Sequence, residues 1–127
     1  MIRDKRSPLL LACARGDLAE QRAQWSPDVA LTVVMAANGY PGSYEKGTKI
    51  NGLKGLNDDV IQVFHAGTER RGDTIHATGG RVLAVTARGP STSTAQKLAY
   101  SAVDRIEWPD GFCRRDIGWR AVDREQN

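Results

Sequence analysis

Residues 29–47 constrain the chain most. Val29-Ala30-Leu31-Thr32-Val33-Val34-Met35-Ala36 is β-branched and almost wholly apolar. It runs into Asn38-Gly39-Tyr40-Pro41-Gly42-Ser43-Tyr44-Glu45-Lys46-Gly47, which holds three glycines, a proline, two tyrosines and a lysine. The first stretch reads as a central strand buried on both faces. The second reads as a loop, because glycine admits positive φ and close backbone approach while proline fixes φ. Such a loop aims backbone N–H groups at one point, with Lys46 beside them, which suits an anion such as phosphate. It also reads as plain punctuation between two strands, carrying two packed tyrosines.

At 127 residues, with 40% hydrophobic and 26% charged residues, the chain is one domain, or one domain with a piece of another, and can bury a core unaided. Its net charge of +3 comes from interleaved signs. That argues against a polybasic tail and does not suggest nucleic acid, but it is compatible with an anionic small molecule. Cys13 and Cys113 stand far apart and read as reduced thiols of a cytosolic protein. No Cys/His spacing suits a metal. No run approaches the ~20 apolar residues of a membrane span. The first six residues lack the apolar core of a signal peptide.

Ser7-Pro8 before Leu9-Leu10-Leu11-Ala12-Cys13-Ala14 reads as a capped helix start, and Gly16 ends that helix. It is apolar nearly all round and needs a cover. Residues 17–28 read as a short helix and linker. Strands are expected at 48–50, 60–65, 74–78 and 81–87, with 51–59 as a loop. The charged residues 69–73 read as the turn of a hairpin joining 60–65 to 74–78, which sets His65 facing His76. Ala95, Leu98, Ala99, Ala102, Val103 and Ile106 make one face of a helix that starts after Ser91. Residues 112–119 read as a last strand or loop, and 123–127 as a frayed polar tail.

No nucleophile elbow, Walker loop or dinucleotide fingerprint is present. The histidines read as strand residues, and neither they nor any other group specifies a metal site or a catalytic dyad. Thr78-Gly79-Gly80-Arg81 would let a guanidinium and nearby N–H groups grip a phosphate, or is a strand junction with an exposed arginine. Arg114-Arg115-Asp116 offers two cations, one of them neutralised by Asp116, or a salt-bridged strand end.

Taken in order, Gly-Tyr-Pro-Gly-Ser-Tyr-Glu-Lys-Gly (39–47), Val-Phe-His-Ala-Gly-Thr (63–68), Thr-Gly-Gly-Arg-Val-Leu-Ala-Val-Thr (78–86), Ala-Tyr-Ser-Ala-Val-Asp-Arg-Ile (99–106) and Arg-Arg-Asp-Ile-Gly (114–118) are far more specific than any one motif. The series resembles the C-terminal domain of the phosphoribosylamine–glycine ligase (glycinamide ribonucleotide synthetase) family. Pro8 to Leu18 resembles the helix leading into that domain, so the resemblance covers nearly the whole chain. It implies an α+β fold: a small antiparallel sheet or half-barrel with a packed helix, of the ATP-grasp C-terminal, rudiment single hybrid motif type. An N-terminal helix from the ATP-grasp domain would precede it. The implied division is 1–28 for the end of the ATP-grasp domain and linker, 29–122 for the C-terminal domain and 123–127 for a tail.

The family joins glycine to 5-phosphoribosylamine in purine (IMP) biosynthesis, with ATP and Mg²⁺ (or Mn²⁺), through a glycyl phosphate. Its Arg-Phe-Gly-Asp-Pro-Glu signature, with the metal-binding Glu and Asn, lies upstream of the region matched. The resemblance therefore implies no catalytic residue, metal or cofactor on this chain, and isolated-chain inactivity. The missing ATP-grasp domains would be supplied in cis or in trans, in the cytoplasm, without nucleic acid or membrane. By analogy with the related aminoimidazole ribonucleotide carboxylase family, Lys46 and Arg81 are assigned to the substrate 5′-phosphate, with Arg115 as a third candidate. Gly42, Ser43, Tyr44, Gly79 and Gly80 supply the loop backbone. Asn38 stands where the family commonly has a second glycine; asparagine also tolerates the left-handed region. A non-catalytic interaction module completing a split enzyme, or a structural remnant that self-associates, remain the alternative readings.

Overall fold

A computed structural model describes residues 6–126. Residues 1–5, most of the stretch read as lacking a signal-peptide core, and Asn127 lie outside them. Helix α1 (Arg6–Arg15) leads through a short 3-10 turn (Leu18–Glu20) to strand β1 (Val29–Ala37). Strands β2 (Lys49–Ile50), β3 (Ile61–His65), β4 (Thr68–Arg71), β5 (Thr74–Ala77) and β6 (Arg81–Gly89) follow. Helix α2 (Thr92–Val103), strand β7 (Gly111–Cys113) and helix α3 (Trp119–Gln126) complete the described chain. The strands form two sheets, of order β3-β6-β1-β7 and β2-β5-β4, and every pairing is antiparallel. The architecture is α+β, as expected.

Helix α2 covers one face of the four-stranded sheet. Its Ala95, Ala99, Ala102 and Val103 are buried against a core built from Leu31, Val33, Val63, Leu83 and Val85. Small residues at helical spacing let the helix lie close to the sheet. Three consecutive N–H groups at its N-terminus are satisfied. Ser91 Oγ accepts from Thr94 N at 3.1 Å, while the Glu125 carboxylate accepts from Thr92 N at 2.6 Å and Ser93 N at 3.1 Å.

Glu125 corrects the expectation of a frayed tail: as far as Gln126 the segment is helical. Gln96 Nε2 also donates to Ile117 O, tying α2 to the approach to α3. The stabilisation is tertiary, so local composition did not reveal it. Hydrogen bonding from Thr92, by side chain and then backbone, and from Ser93 N holds the Glu125 carboxyl below the usual glutamate range. A depressed carboxyl stabilises the fold above its unfolded pKa, and that contribution is lost as pH falls through the folded value. Acidification below the ordinary glutamate range should therefore shift the Thr92 and Ser93 amide resonances before global unfolding. Glu125→Gln should abolish that early step; an unchanged titration in the variant would remove Glu125 as its cause.

Two further expectations are overturned. The first is that β1 is buried on both faces. Leu31, Val33 and Met35 point into the core, but Ala30, Thr32 and Val34 are exposed, because no described element packs on the other face. The register places Val34, Ala84 and Phe64 in one row across β1, β6 and β3, with Ala36 and Phe112 in a neighbouring pair. Val34, Phe64 and Phe112 are 42%, 53% and 42% exposed, so an apolar patch spans all four strands. Helix α1 is largely uncovered as well: Ala12 is buried, but Leu10 is 69% and Leu11 50% exposed. Its described part runs from Arg6, so Ser7 is helical and not its cap; Gly16 follows its last residue with φ +81°.

The second overturned expectation is the hairpin between 60–65 and 74–78. Strand β3 pairs with β6, and β5 pairs with β4 and β2. Glu69-Arg70-Arg71, read as a turn, belongs to β4, and Gly72 (φ +60°) and Asp73 make the turn. β4 is an edge strand, where charged side chains remain in water and discourage further pairing. His65 therefore lies opposite Leu83, and His76 lies between Glu69 and Lys49.

Candidate functional site

The loop 38–47 is fastened at both ends to the segment that carries Arg81. Ala37 N donates to Gly80 O at 2.8 Å, and Gly47 N donates to Ala77 O at 2.6 Å. Between these points Tyr40 lies over Gly80: a Cβ there would come within 2.2 Å of the Tyr40 ring. Gly80 must be glycine here to admit an aromatic ring, so Tyr40 fills the space its missing side chain leaves. The facing Gly67 is confined more tightly, since a Cβ on it would come within 2.7 Å of the Arg81 carbonyl oxygen and 2.9 Å of the Gly79 Cα. Gly39 (φ +93°) begins the turn and Gly47 (φ +84°) ends the loop, positions that favour glycine. The Tyr40–Pro41 peptide is cis.

The loop's entry and exit are held by side chains that sequence reasoning missed in these roles. Asn38 N donates to Asp110 O and its Nδ2 to Pro109 O, so the turn after Trp108 grips the end of β1. Asn38 has no positive φ. Its amide serves here as a hydrogen-bond donor and not as a stand-in for glycine in the left-handed region. His76 Nδ1 lies 2.8 Å from Gly47 O, and its Nε2 lies 2.8 Å from Thr74 Oγ1. Because a carbonyl only accepts, Nδ1 carries the proton of that bond. Both ring nitrogens are engaged, and His76 works as a brace for the loop.

The structure brings together Lys46 with the loop backbone of Gly42, Ser43 and Tyr44, and Arg81 with Gly79 and Gly80. Lys46 and Arg81 are exposed, and neither has a side-chain hydrogen bond or ion pair among the described residues. Between Met35 and Ala36 the register shifts, so Ala36 pairs with Arg81 while Val82 and Leu83 are both fully buried. The Arg81–Ala36–Phe112 row puts Arg81 on the border of the open apolar face.

Arg115 is not part of this group. β7 runs antiparallel to β1, with Gly111 opposite Ala37 and Cys113 opposite Met35. Arg115 therefore lies farther along in the direction away from the loop. It is ion-paired with Asp104 and stacked over the Tyr100 ring at 5.6 Å. Its pairing with Asp104 raises its pKa further, so an anion would have to displace that carboxylate. Arg114 is paired with Asp116, which holds the Asp116 carboxyl below its usual range. His65 Nδ1 lies 2.9 Å from Thr68 Oγ1, in keeping with its reading as a strand histidine. Among the described residues no three His, Cys, Asp or Glu side chains converge as metal ligands would. Nor, among them, is any helix long and apolar enough to cross a membrane.

Comparison with known proteins addresses the whole chain. The family model described as phosphoribosylglycinamide synthetase, C domain, matches residues 30–120. A phosphoribosylamine–glycine ligase of Mesorhizobium japonicum is 54% identical over 98% of this chain, which spans 29% of that protein. The ligase of Escherichia coli O157:H7 is 49% identical over 94% of the chain and 28% of its own length. The crystal structure of the Thermotoga maritima phosphoribosylamine–glycine ligase superposes with a TM-score of 0.60 at 33% identity, covering 69% of this chain and 21% of that one. The chain thus spans less than a third of the relatives it matches. With a match over residues 30–120 to its C domain, this chain belongs to the phosphoribosylglycinamide synthetase family.

Proposed function

We propose that this chain forms the substrate-phosphate wall of a phosphoribosylamine–glycine ligase, a purine-biosynthesis enzyme that joins glycine to 5-phosphoribosylamine at the expense of ATP. In this reading residues 29–122 are the C-terminal domain and residues 1–28 end a preceding ATP-grasp domain. ATP and Mg²⁺ belong to domains outside this chain. Lys46 and Arg81 hold the 5′-phosphate, and the nearby loop backbone lets it approach. Two free cysteines suit a reducing compartment such as the cytoplasm.

One observation supports the reading: the loop is hydrogen-bonded to the segment that leads into Arg81, and Arg81 lies in the strand row bordering an open apolar face. Sheets exposing Val34, Phe64 and Phe112 together mark a docking surface. The occupant is the rest of the ligase, since the chain spans under a third of its relatives. Docking there brings the catalytic domains up to Arg81 and Lys46, and closing the cleft removes water from the phosphate contacts, which strengthens them.

Mixing this chain with the missing domains and assaying glycinamide ribonucleotide tests the assignment. Activity should appear only in the mixture and be lost with the Phe64→Asp/Phe112→Asp pair. In isolation the unaltered chain should self-associate by light scattering, and the pair should be monomeric. A silent mixture, or activity indifferent to the two aspartates, would overturn docking through this face.

A further inference from the structure

Helix α2 carries two stripes. Ala95, Ala99, Ala102 and Val103 are buried against the sheet. Thr92, Gln96, Tyr100 and Asp104 recur every fourth residue, one above another on successive turns, and each holds the segment that follows β7. Asp104, the C-cap, is ion-paired with Arg115. Tyr100 Oη donates to Arg114 O at 2.8 Å and accepts from Ile117 N at 3.0 Å, with the Arg115 guanidinium over its ring. Gln96 Nε2 donates to Ile117 O at 2.8 Å. At the opposite end Thr92 N and Ser93 N donate to the Glu125 carboxylate. Residues 114–125 thus run back along α2 from its C-cap to its first turn, over about 18 Å of helix.

Little apolar contact fastens this segment. No residue of α3 is buried. Ile117 is partly buried against the core, and Gly118 (φ +82°) lies on Leu31, where a Cβ would come within 2.5 Å of Leu31 Cδ1. A segment held by a row of modest polar contacts stands at the low end of local stability, while the alanine stripe of α2 keeps the helix on the sheet without it. Strand β7, only three residues long, pairs with β1 at the sheet edge. Its entry is fixed by Trp108 on Gly111 and by the bonds of Asn38 to Pro109 and Asp110. Its exit is fixed by the segment that starts at Arg114. We propose that residues 114–126 are a strap that opens as one unit, clasped at its centre by Tyr100, and that its closure holds β7 at the edge of the open apolar face. Phe112 belongs to that face, so opening the strap reshapes one side of it without unfolding the core.

The test is native-state amide hydrogen exchange of the whole 127-residue chain, followed by NMR. The Thr92, Ser93, Phe112 and Ile117 amides should exchange through one common opening, less protected than Val33 and Val85 in the sheet. Tyr100→Phe keeps the ring and removes both hydroxyl bonds. It should speed exchange about tenfold at Ile117 and equally at Thr92 and Ser93, whose acceptor Glu125 is untouched. Glu125→Ala should do the reverse, speeding exchange at Ile117, about 12 Å away along α2. Phe112 should follow in both variants, and unchanged protection of Val33 and Val85 verifies folding. Acceleration confined to each variant's own hydrogen-bond partners would overturn the single unit. A Phe112 amide that keeps its protection in both would overturn the hold on β7.

Discussion

Trp108→Ala should lower the unfolding free energy by about 3–5 kcal/mol, the range for deleting a buried tryptophan. Trp108 is 4% exposed and sits where the two sheets meet. Its Nε1 donates to Thr48 Oγ1 at 3.0 Å, and Thr48 leads directly into β2 of the three-stranded sheet. Its ring lies on Gly111 at the start of β7, where a Cβ would come within 2.0 Å of it. The residues that follow it accept from Asn38, at the entry to the loop. The substitution therefore opens a cavity, leaves the buried Thr48 hydroxyl without its donor and loosens both ends of the loop.

Trp108→Phe keeps most of the apolar volume and loses the N–H, so it should cost about 1–3 kcal/mol. Urea melts followed by far-UV circular dichroism would order the variants. Trp25 and Trp119 are exposed, so fluorescence lost in Trp108→Ala should be the blue component. A Trp108→Ala cost under about 1 kcal/mol would contradict the role assigned here.

Much of this fold is legible from pattern alone. The β-branched run at β1, the small-residue stripe of α2 and the glycine-rich loops each specify their element locally. What escapes is set by neighbours. A strand buried on both faces and a strand open on one face read alike, because composition does not say whether a covering layer is present. Glu69-Arg70-Arg71 is polar enough for a turn, and only its place at a sheet edge makes it a strand. Helix α3 exists where Glu125 finds two N–H groups more than thirty residues away, which no local window reveals.

The site divides the same way. Lys46 and Arg81 are prominent as residue types, but the linking of their two segments depends on Gly47–Ala77 and Ala37–Gly80 backbone bonds across the chain. Family resemblance supplied that association; periodicity did not. Arg115, the third and weaker candidate in sequence, is ion-paired with Asp104, a partner on another element. Tyr40 gave no sign that it would occupy the space over Gly80. Glycines in a phosphate-like motif are thus no assurance that the room they leave is kept for ligand.

In the complete ligase, Arg81→Ala should reduce kcat/KM for phosphoribosylamine by roughly 10–100-fold, the loss of charge-assisted hydrogen bonds to one phosphate. Most of the loss should appear in KM. A phosphate remote from the reacting amine is bound similarly in the ground and transition states, and removing uniform binding raises KM. Lys46→Ala should act in the same direction with a smaller effect, because an ammonium contributes a point charge where a guanidinium contributes a fork. Arg81→Lys should recover part of the loss for that reason. Arg115→Ala should change kcat/KM least of the three, since its guanidinium is committed to Asp104 and lies away from the loop. Steady-state assays of glycinamide ribonucleotide formation at varied phosphoribosylamine distinguish these outcomes. An Arg81→Ala enzyme with unaltered kcat/KM, or an Arg115→Ala enzyme more impaired than it, would move the phosphate away from the border of the open sheet face and take the proposed wall with it.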